Sequence, residues 1–486
     1  MTSTFFGLEL GKRGLYAQQA ALYTTGHNIS NANTEGYTRQ RAEMQATNAI
    51  PVPGMSVDKS PAQMGTGVEV NKITRLREDF LDDQYRGENK KLGYWEAMGD
   101  TYTKIEEITN EPSENGIANA MDQFYASWQE LAKNPESSAA RSVVRQRGVA
   151  LAESFQFVNN SLEDMKTDLD NVISTKVDDI NSIATQIKDL NDQISRIVPN
   201  NYEPNDLYDK RDLLLDKLSK LVDINVTNST NGMINVTVGS SQTSLIQDRT
   251  ANKLSVDSTG KVSIEGETSE TTLTSGELLG RIESRYNSIP DFQNKLDSLV
   301  SEFANQVDAL HSSGINLADI NNKASTPANL DFFVPSSGTT INAGNIAVNS
   351  SILNSLDNIA AATSSSQGDG QNAQKIADLK FDSSLLFTDP DTPTNIYATS
   401  TADDFYQNMI GQLGIDSQQA QGMQENSQVL LNQVDNRRQS VSGVSLDEEM
   451  SNMVRFQQAY NASARVVTTM DEILDKVING MGKVGL

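Results

Sequence analysis

The sequence predicts a mainly α fold with inserted β structure. Long coiled-coil-like helical rods are built from both chain ends, and small outer β-rich domains are inserted between them. Three observations predict it. The C-terminal residues keep an unbroken heptad seam: Leu446, Met453, Tyr460, Val467, Leu474 and Met481 recur every seven residues, and Phe456, Met470 and Val477 fill the second position. The N-terminal end repeats the spacing with Leu8, Leu15, Leu22 and Ile29, and small Gly7, Gly14 and Ala21 stand before three of them. In mid-chain the period switches from helical to two. An ordinary amphipathic core helix explains any single stripe. Two stripes at the extreme ends point to a chain that leaves and returns through one paired-helix base, because each stripe needs a partner to bury against.

Each element follows in chain order. Residues 8–31 read as helix, ended by the turn-forming cluster Asn31, Asn33 and Gly36. Residues 43–75, with Pro51, Pro53 and Pro61, read as an extended loop with short strand pieces. Helical spacing returns from about Ile73 to Asn110 and again from Asn115 to Lys133. A long helical segment runs between Pro135 and Pro199. Its row Phe155, Leu162, Leu169, Ile183, Leu190, Ile197 is broken only by Lys176, and its companion row shifts by one position near Ile173, as at a stutter. A further helix covers Asp206–Leu221. Alternation then sets in at Ile224/Val226, Ile234/Val236/Val238, Leu254/Val256 and Val262/Ile264. The turns Asn231-Gly232, Gly239-Ser240 and Thr259-Gly260 separate these runs into a small antiparallel unit. Helix resumes over 278–310. Residues 314–400, rich in Ser, Thr, Asn, Asp and Gly, read as a second β-rich or irregular outer unit, with a strand piece at Leu330–Val334. Residues 401–442 are helical. Ser445 and Glu448 open the last helix as a capping box, and Gly480 and Gly482 mark its end.

This reading divides the chain into a terminal base (1–42 and 445–486), a helical rod domain in three parts (43–222, 276–313 and 401–444) and two inserted units (223–275 and 314–400). The net charge is −25, which disfavours nucleic acid and anionic membrane as partners. Residues 1–86 carry nine acidic and nine basic groups, and residues 445–486 carry six and four, so nearly all the negative charge lies between them. Near-neutral ends suit dense self-packing, and an acidic middle keeps the exposed part soluble.

The 486 residues include no cysteine, which excludes a disulfide scaffold, a thiol nucleophile and a thiolate metal site. The two histidines, His27 and His311, read as surface or packing residues rather than ligands. No catalytic, metal or cofactor residue is assigned. No P-loop, dinucleotide fingerprint or Gly-x-Ser-x-Gly run is present, and carboxylate pairs among 64 acidic residues carry no specificity. No apolar run is long enough to insert in a membrane, and no signal-peptide core is evident near Lys12 and Arg13.

Residues 24–41 read Thr-Thr-Gly-His-Asn-Ile-Ser-Asn-Ala-Asn-Thr-Glu-Gly-Tyr-Thr-Arg-Gln-Arg. This run, with Gly26, Asn28, Asn31, Asn33, Gly36, Tyr37 and Arg39, resembles the N-terminal signature of bacterial flagellar rod, hook and hook-associated proteins. Its Gly36–Gln40 ending resembles the hook-associated protein 1 family, and so do Asp206–Asp212 and the C-terminal run Ser445–Ile478. Glu35 stands where the family often has Pro. Asn side chains brace turns and cap helix ends, Gly36 permits positive φ, and Tyr37 can pack its ring with its hydroxyl bonded. The resemblance implies a structural subunit at the hook–filament junction of the extracellular flagellum, exported unfolded by the flagellar type III apparatus. Its implied partners are copies of itself, the hook protein, the next hook-associated protein and a cytoplasmic export chaperone. The expected assembly residues are the N-terminal row from Leu8 to Ile29 and the C-terminal seam from Leu446 to Val477. A surface adhesin built on 223–400, or a hydrolase carried on a flagellar scaffold, is the alternative.

Overall fold

The computed structural model describes residues 5–49, 65–266, 270–322, 329–366, 368–390, 392 and 394–480. Pro51, Pro53, Pro61, Met481 and Gly482 lie outside the described residues.

The chain opens with α1 (Phe6–Ser30) and an antiparallel hairpin, β1 (Gln40–Ala46) and β2 (Val68–Arg75), which packs on α1. The expected boundary at residue 42 therefore cuts through β1. Ile73 belongs to β2, and helical structure resumes only at α2 (Asp79–Thr109). After α3 (Ile117–Lys133) comes the rod α4 (Ser138–Ile197), whose 60 residues span roughly 90 Å. Ser137 caps it by accepting from the Ala140 N–H.

The buried row of α4 changes where the stutter was expected. Phe155, Leu162 and Leu169 are buried, but beyond Ile173 the buried positions are Ile180, Ala184, Ile187, Asn191, Ile194 and Ser195. Ile183, Leu190 and Ile197 are only half-buried. The shift has a packing cause, because α4 serves two separate cores. Its second half packs with α5 (Asn205–Leu221) and the β unit. That unit is a four-stranded antiparallel sheet, β3 (Ile224–Asn228), β4 (Ile234–Val238), β5 (Ile246–Gln247) and β6 (Thr250–Ala251), followed by the hairpin β7 (Leu254–Val256) and β8 (Val262–Ile264). Val236, Val238, Ile246, Leu254 and Ile264 are buried in one core with Ile180 and Ile187.

The helix α6 (Glu277–Glu283) continues through one π turn, Ser284–Ser288, into α7 (Ile289–Ser313). Leu278 and Ile282 before the turn belong to the core around the β unit, while Ile289 and Phe292 after it belong to the other core. The extra residue of a π turn re-aims the apolar face between them.

Residues 314–400 contain α8 (Leu317–Asn321), β9 (Phe333–Pro335), β10 (Ile346–Val348), α9 (Ser350–Asn354), α10 (Gln371–Asp378), β11 (Leu385–Thr388) and β12 (Ile396–Ser400). The sequence reading of this stretch as an outer unit is corrected here. Phe332, Phe333, Ile346, Ile376 and Phe387 are fully buried and complete one core with α3, the first half of α4 and α7. Phe124, Phe303, Phe332 and Phe333 form its aromatic centre, with Phe332 and Phe333 centroids 4.9 Å apart. His311 is buried there between the Leu330 carbonyl (2.6 Å) and the Ala360 N–H (3.0 Å). These two partners fix a neutral ring that donates from Nδ1 and accepts at Nε2, and burial holds its pKa down at about 4.

The chain returns along α11 (Ala402–Ser442), capped by Thr401 and packed on α2, and turns at Gly443 into α12 (Leu446–Gly480). α12 pairs with α1.

Candidate assembly site

The pair is antiparallel and unusually close, because α1 presents small residues to α12. A Cβ on Gly7 would lie 2.5 Å from Met470, on Gly11 2.7 Å from Val467, and on Gly14 2.9 Å from Ser463. Ala17, Ala21 and Thr24 continue that buried row to Asn28, which meets Glu449. Of the α12 seam, Met453, Phe456, Tyr460, Val467 and Met470 are half-buried and Leu474 is buried, with Val467 and Met470 facing Gly11 and Gly7. Leu446 is 50% exposed and Val477 40% exposed. On α1 the outcome differs from the reading. Leu8, Leu15, Leu22 and Ile29 are only half-buried and flank the contact, while the glycine and alanine row forms it. The sequence did show Gly7, Gly14 and Ala21 beside those leucines. Close helix approach is the signal they carry.

At the body end of the pair, the three sequence runs that carry the family resemblance meet in space. Asn28 is fully buried and uses its whole amide. Its Nδ2 donates to the Gln40 carbonyl (2.8 Å) and Glu449 Oε2 (3.0 Å), and its Oδ1 accepts from the Tyr37 hydroxyl (2.8 Å) and the Gln40 N–H (2.9 Å). Arg39 donates from Nε to Glu449 (2.8 Å) and from Nη1 to Glu448 (2.6 Å). Its N–H reaches the Ser442 carbonyl and its carbonyl accepts from the Leu76 N–H, both at 2.8 Å. One residue thus ties α11, α12 and the hairpin together. Glu448, which a capping box would turn back to Ser445, has Oε2 on Arg39 instead.

Asn31 closes the end of α1 by donating to the His27 carbonyl (3.0 Å) and accepting from Thr34 (3.2 Å). Gly36 adopts φ +77, and a Cβ there would press on Leu213 at 3.1 Å, so both conformation and contact select glycine. Gly26 has open space around it, and Asn33 is exposed. Tyr37 stacks edge-on against His27. Burial raises its pKa well above the ordinary tyrosine value, with the charges of Asp206, Asp209 and Glu449 adding to it.

Beneath this clasp, α5 lines up Asp209, Asp212 and Asp216 on one face. Asp209 accepts from the Thr38 N–H (3.0 Å) and from Arg75 (2.9 Å). Asp212 takes Arg75 at 2.7 Å and Arg77 at 3.5 Å, and Asp216 takes Arg86 at 3.0 Å and Arg438 at 2.5 Å. Arg438 also lies over the Tyr85 ring at 3.9 Å. Burial pushes the Asp212 carboxyl up, but the guanidinium groups of Arg77, Arg75 and Arg86 outweigh it and hold the pKa below the ordinary range. At Asp209 burial wins, and the pKa is raised despite the Thr38 N–H and Arg75. Breaking such a buried pair on one side leaves an uncompensated charge, which costs about 3–5 kcal/mol. The reading from sequence missed Arg75, Arg77, Arg86, Asp216 and Arg438. The signal was three carboxylates at i, i+3 and i+7 on one helix face, an arrangement that repels itself unless cations arrive from elsewhere.

These contacts make a joint between the two chain ends and the body. Among the described residues no group of three or more metal-ligating side chains gathers, and no helix is long and apolar enough to cross a membrane.

Three family models match in chain order. Flagella basal body rod protein matches residues 8–38, flagellar hook-associated protein FlgK helical domain matches 102–333, and flagellar basal body rod FlgEFG protein C-terminal matches 437–480. They place the chain in the class of flagellar rod and hook-associated proteins, structural proteins rather than enzymes. Flagellar hook-associated protein 1 of Bacillus subtilis (strain 168) is 38% identical over 99% of each chain, and that of Escherichia coli (strain K12) is 27% identical over 96% of this chain and 98% of its own. The chain belongs to the flagellar hook-associated protein 1 family. Its fold is shared with the flagellar hook junction protein FlgK from Burkholderia pseudomallei, with a TM-score of 0.59 and 16% identity over 74% of this chain and 100% of that one.

Proposed function

We propose that the protein is the structural subunit joining hook to filament in the extracellular flagellum. Copies assemble side by side through the α1–α12 base, the hook protein lies on one side, and the next hook-associated protein lies on the other. One observation carries this reading. Both chain ends converge in a single helix pair, locked to the body by Asn28 and Arg39, and that pair leaves large apolar side chains uncovered on each helix, among them Tyr16, Tyr23, Met450 and Ile473. A monomer gains nothing from such a surface, and a packed layer of copies buries it. The subunit reaches its place through the flagellar type III channel. The amphipathic C-terminal helix offers its apolar face to a cytoplasmic export chaperone beforehand.

The test is gene deletion with complementation. Deletion leaves hooks without filaments and filament subunits in the medium, and the intact gene restores filaments. Filaments that remain attached in the deletion strain overturn the proposal. Attached filaments with lost surface adhesion would favour the adhesin alternative.

A further inference from the structure

Phe157 breaks the pattern of the rod α4. Its neighbours Phe155 and Val158 are buried, yet Phe157 itself is 65% exposed. A single exposed apolar residue is ordinary on a protein surface. Phe157 instead stands at the lip of a groove of about 490 Å³ between α2 and α4. Met165 and Leu169 of α4 form its buried floor, and Ile108 of α2 and Val172 of α4 are half-buried in its walls. From Phe157 to Val172 the groove follows α4 for roughly 22 Å, which is about four helical turns. Its rim is acidic. Lys104 and Arg281 both bind Asp100, at 3.2 Å and 2.5 Å. Glu107, Asp164 and Asp168 are left exposed on the rim, and among the described residues none of the three has an ion-pair partner. Asp164 and Asp168 lie one turn apart on α4, where like charges repel.

We infer that this groove docks an amphipathic helix of another protein, one with an apolar face and with Lys or Arg along its flanks. The apolar face of such a helix lies on Met165, Leu169 and Ile108 and packs an anchor side chain against the Phe157 ring. Its cations meet Glu107, Asp164 and Asp168 and relieve their mutual repulsion. The charge of the rim selects the occupant. Nucleic acid and anionic membrane would bring further negative charge to the three carboxylates. A second copy of this chain, at −25, is a poor source of a cationic helix. The groove contains no residue of the α1–α12 base, so its use is separate from assembly through that pair.

The probes are two designed helical peptides with Leu along one face, one carrying Lys and the other Glu on both flanks. Their binding to the full-length chain is read by fluorescence anisotropy. The Lys peptide should bind, more weakly as salt rises, and the Glu peptide should not. Phe157→Ala should weaken the Lys peptide by about tenfold or more. Asp164→Lys combined with Asp168→Lys should reverse the preference between the two peptides. A photoreactive residue in the Lys peptide should attach within 100–108 and 157–172, as mapped by mass spectrometry. The substituted side chains are exposed, so urea unfolding of the variants should match the parent, and lost binding then reads the groove rather than the fold. Failure of the Lys peptide to bind the parent overturns the inference. So does binding that survives both sets of substitutions or that maps elsewhere. Self-association of the parent that Phe157→Ala removes also overturns it, and assigns the groove to a second copy.

Discussion

In the body, α4 hides Phe155, Leu162 and Leu169 almost completely, whereas in the base α12 leaves Met450, Val454 and Ile473 about half exposed. Both helices carry heptad-spaced apolar rows. The difference lies in the number of partners. The body helix is surrounded by α3, α5, α7 and the β unit, so most of its apolar side chains find neighbours within the chain, with Phe157 and Val143 left exposed. The base helix has one main partner, and a two-helix pair covers only one side of each member. Under the function proposed above, the same sequence pattern serves folding in one region and assembly in the other. A substitution in the body should act on stability, and one in the base on assembly.

The largest effect tests that division directly. Val467 packs into the gap left by Gly11. Val467→Asp puts a carboxylate in the closest part of the pair, where burial without a partner costs several kcal/mol per copy. Filament attachment and swimming should be lost although the protein is exported, and the Tm of the purified full-length protein should not move, since neither core contains an α12 residue. Normal swimming would remove the pair from assembly. The converse experiment is Phe124→Ala. Phe124 is fully buried against Phe303 and Phe332, so truncation should cost about 3–5 kcal/mol in urea unfolding. A loss below about 1 kcal/mol would mean the body core is not the rigid part of the contrast.

Which parts were legible in the sequence follows the same division. The α12 seam and the α4 stutter were readable because apolar side chains at fixed spacing report burial directly. The α1 contact was misread because its determinant is the absence of side chains. Gly7, Gly11 and Gly14 score as weak helix residues, while Leu8 and Leu15 dominate any periodicity count. Residues 314–400 were misplaced because Phe332, Phe333 and Phe387 sit singly among polar residues, so no period shows that they enter a core made by distant helices. In the clasp, Asn28, Tyr37 and Arg39 were visible as a motif. Their partners Glu448 and Glu449 were not assigned to them, because partners separated by up to 421 positions leave no local trace.

A smaller effect sharpens the comparison inside the body. Asp308 accepts from the Phe332 and Phe333 N–H groups, both at 2.8 Å, yet burial, with Asp331 nearby, raises its pKa to about 7. The folded protein then binds more protons than the unfolded one between about pH 4 and 7, so this group's contribution to stability falls as pH rises through that window. Nearby His311 works in the opposite sense. Its folded pKa of about 4 is below the ordinary value, so its contribution is present above about pH 6.5 and is lost as pH falls toward 4. Comparing Asp308→Asn with the parent isolates Asp308, because His311 is common to both. The amide oxygen still accepts the two N–H groups, so the variant should be more stable at pH 8 by on the order of 2–4 kcal/mol, and the gain should vanish near pH 4. A gain that is the same at both pH values would assign the effect to something other than charge burial.

The smallest effect belongs to the outer β unit. Asp257 is fully exposed in the β7–β8 turn, where its Oδ1 accepts from the Thr259 N–H (2.8 Å), the Thr259 hydroxyl (2.7 Å) and the Lys261 N–H (3.0 Å). The Thr259 hydroxyl and those N–H groups hold its pKa below the ordinary value. Asp257→Lys removes all three bonds, so amide exchange at residues 257–261 should quicken. The turn itself survives. Asp257 and Lys261 keep their backbone bond at 3.0 Å, Gly260 keeps the positive φ the chain reversal needs, and Val256 and Val262 still pair across the hairpin. Among the described residues no hydrogen bond or ion pair links the base or the clasp to this turn, so filament attachment and swimming speed should match the parent. If Asp257→Lys alone abolished swimming while Val467→Asp did not, assembly would run through the β unit. The half-exposed face of the α1–α12 pair would then need another explanation.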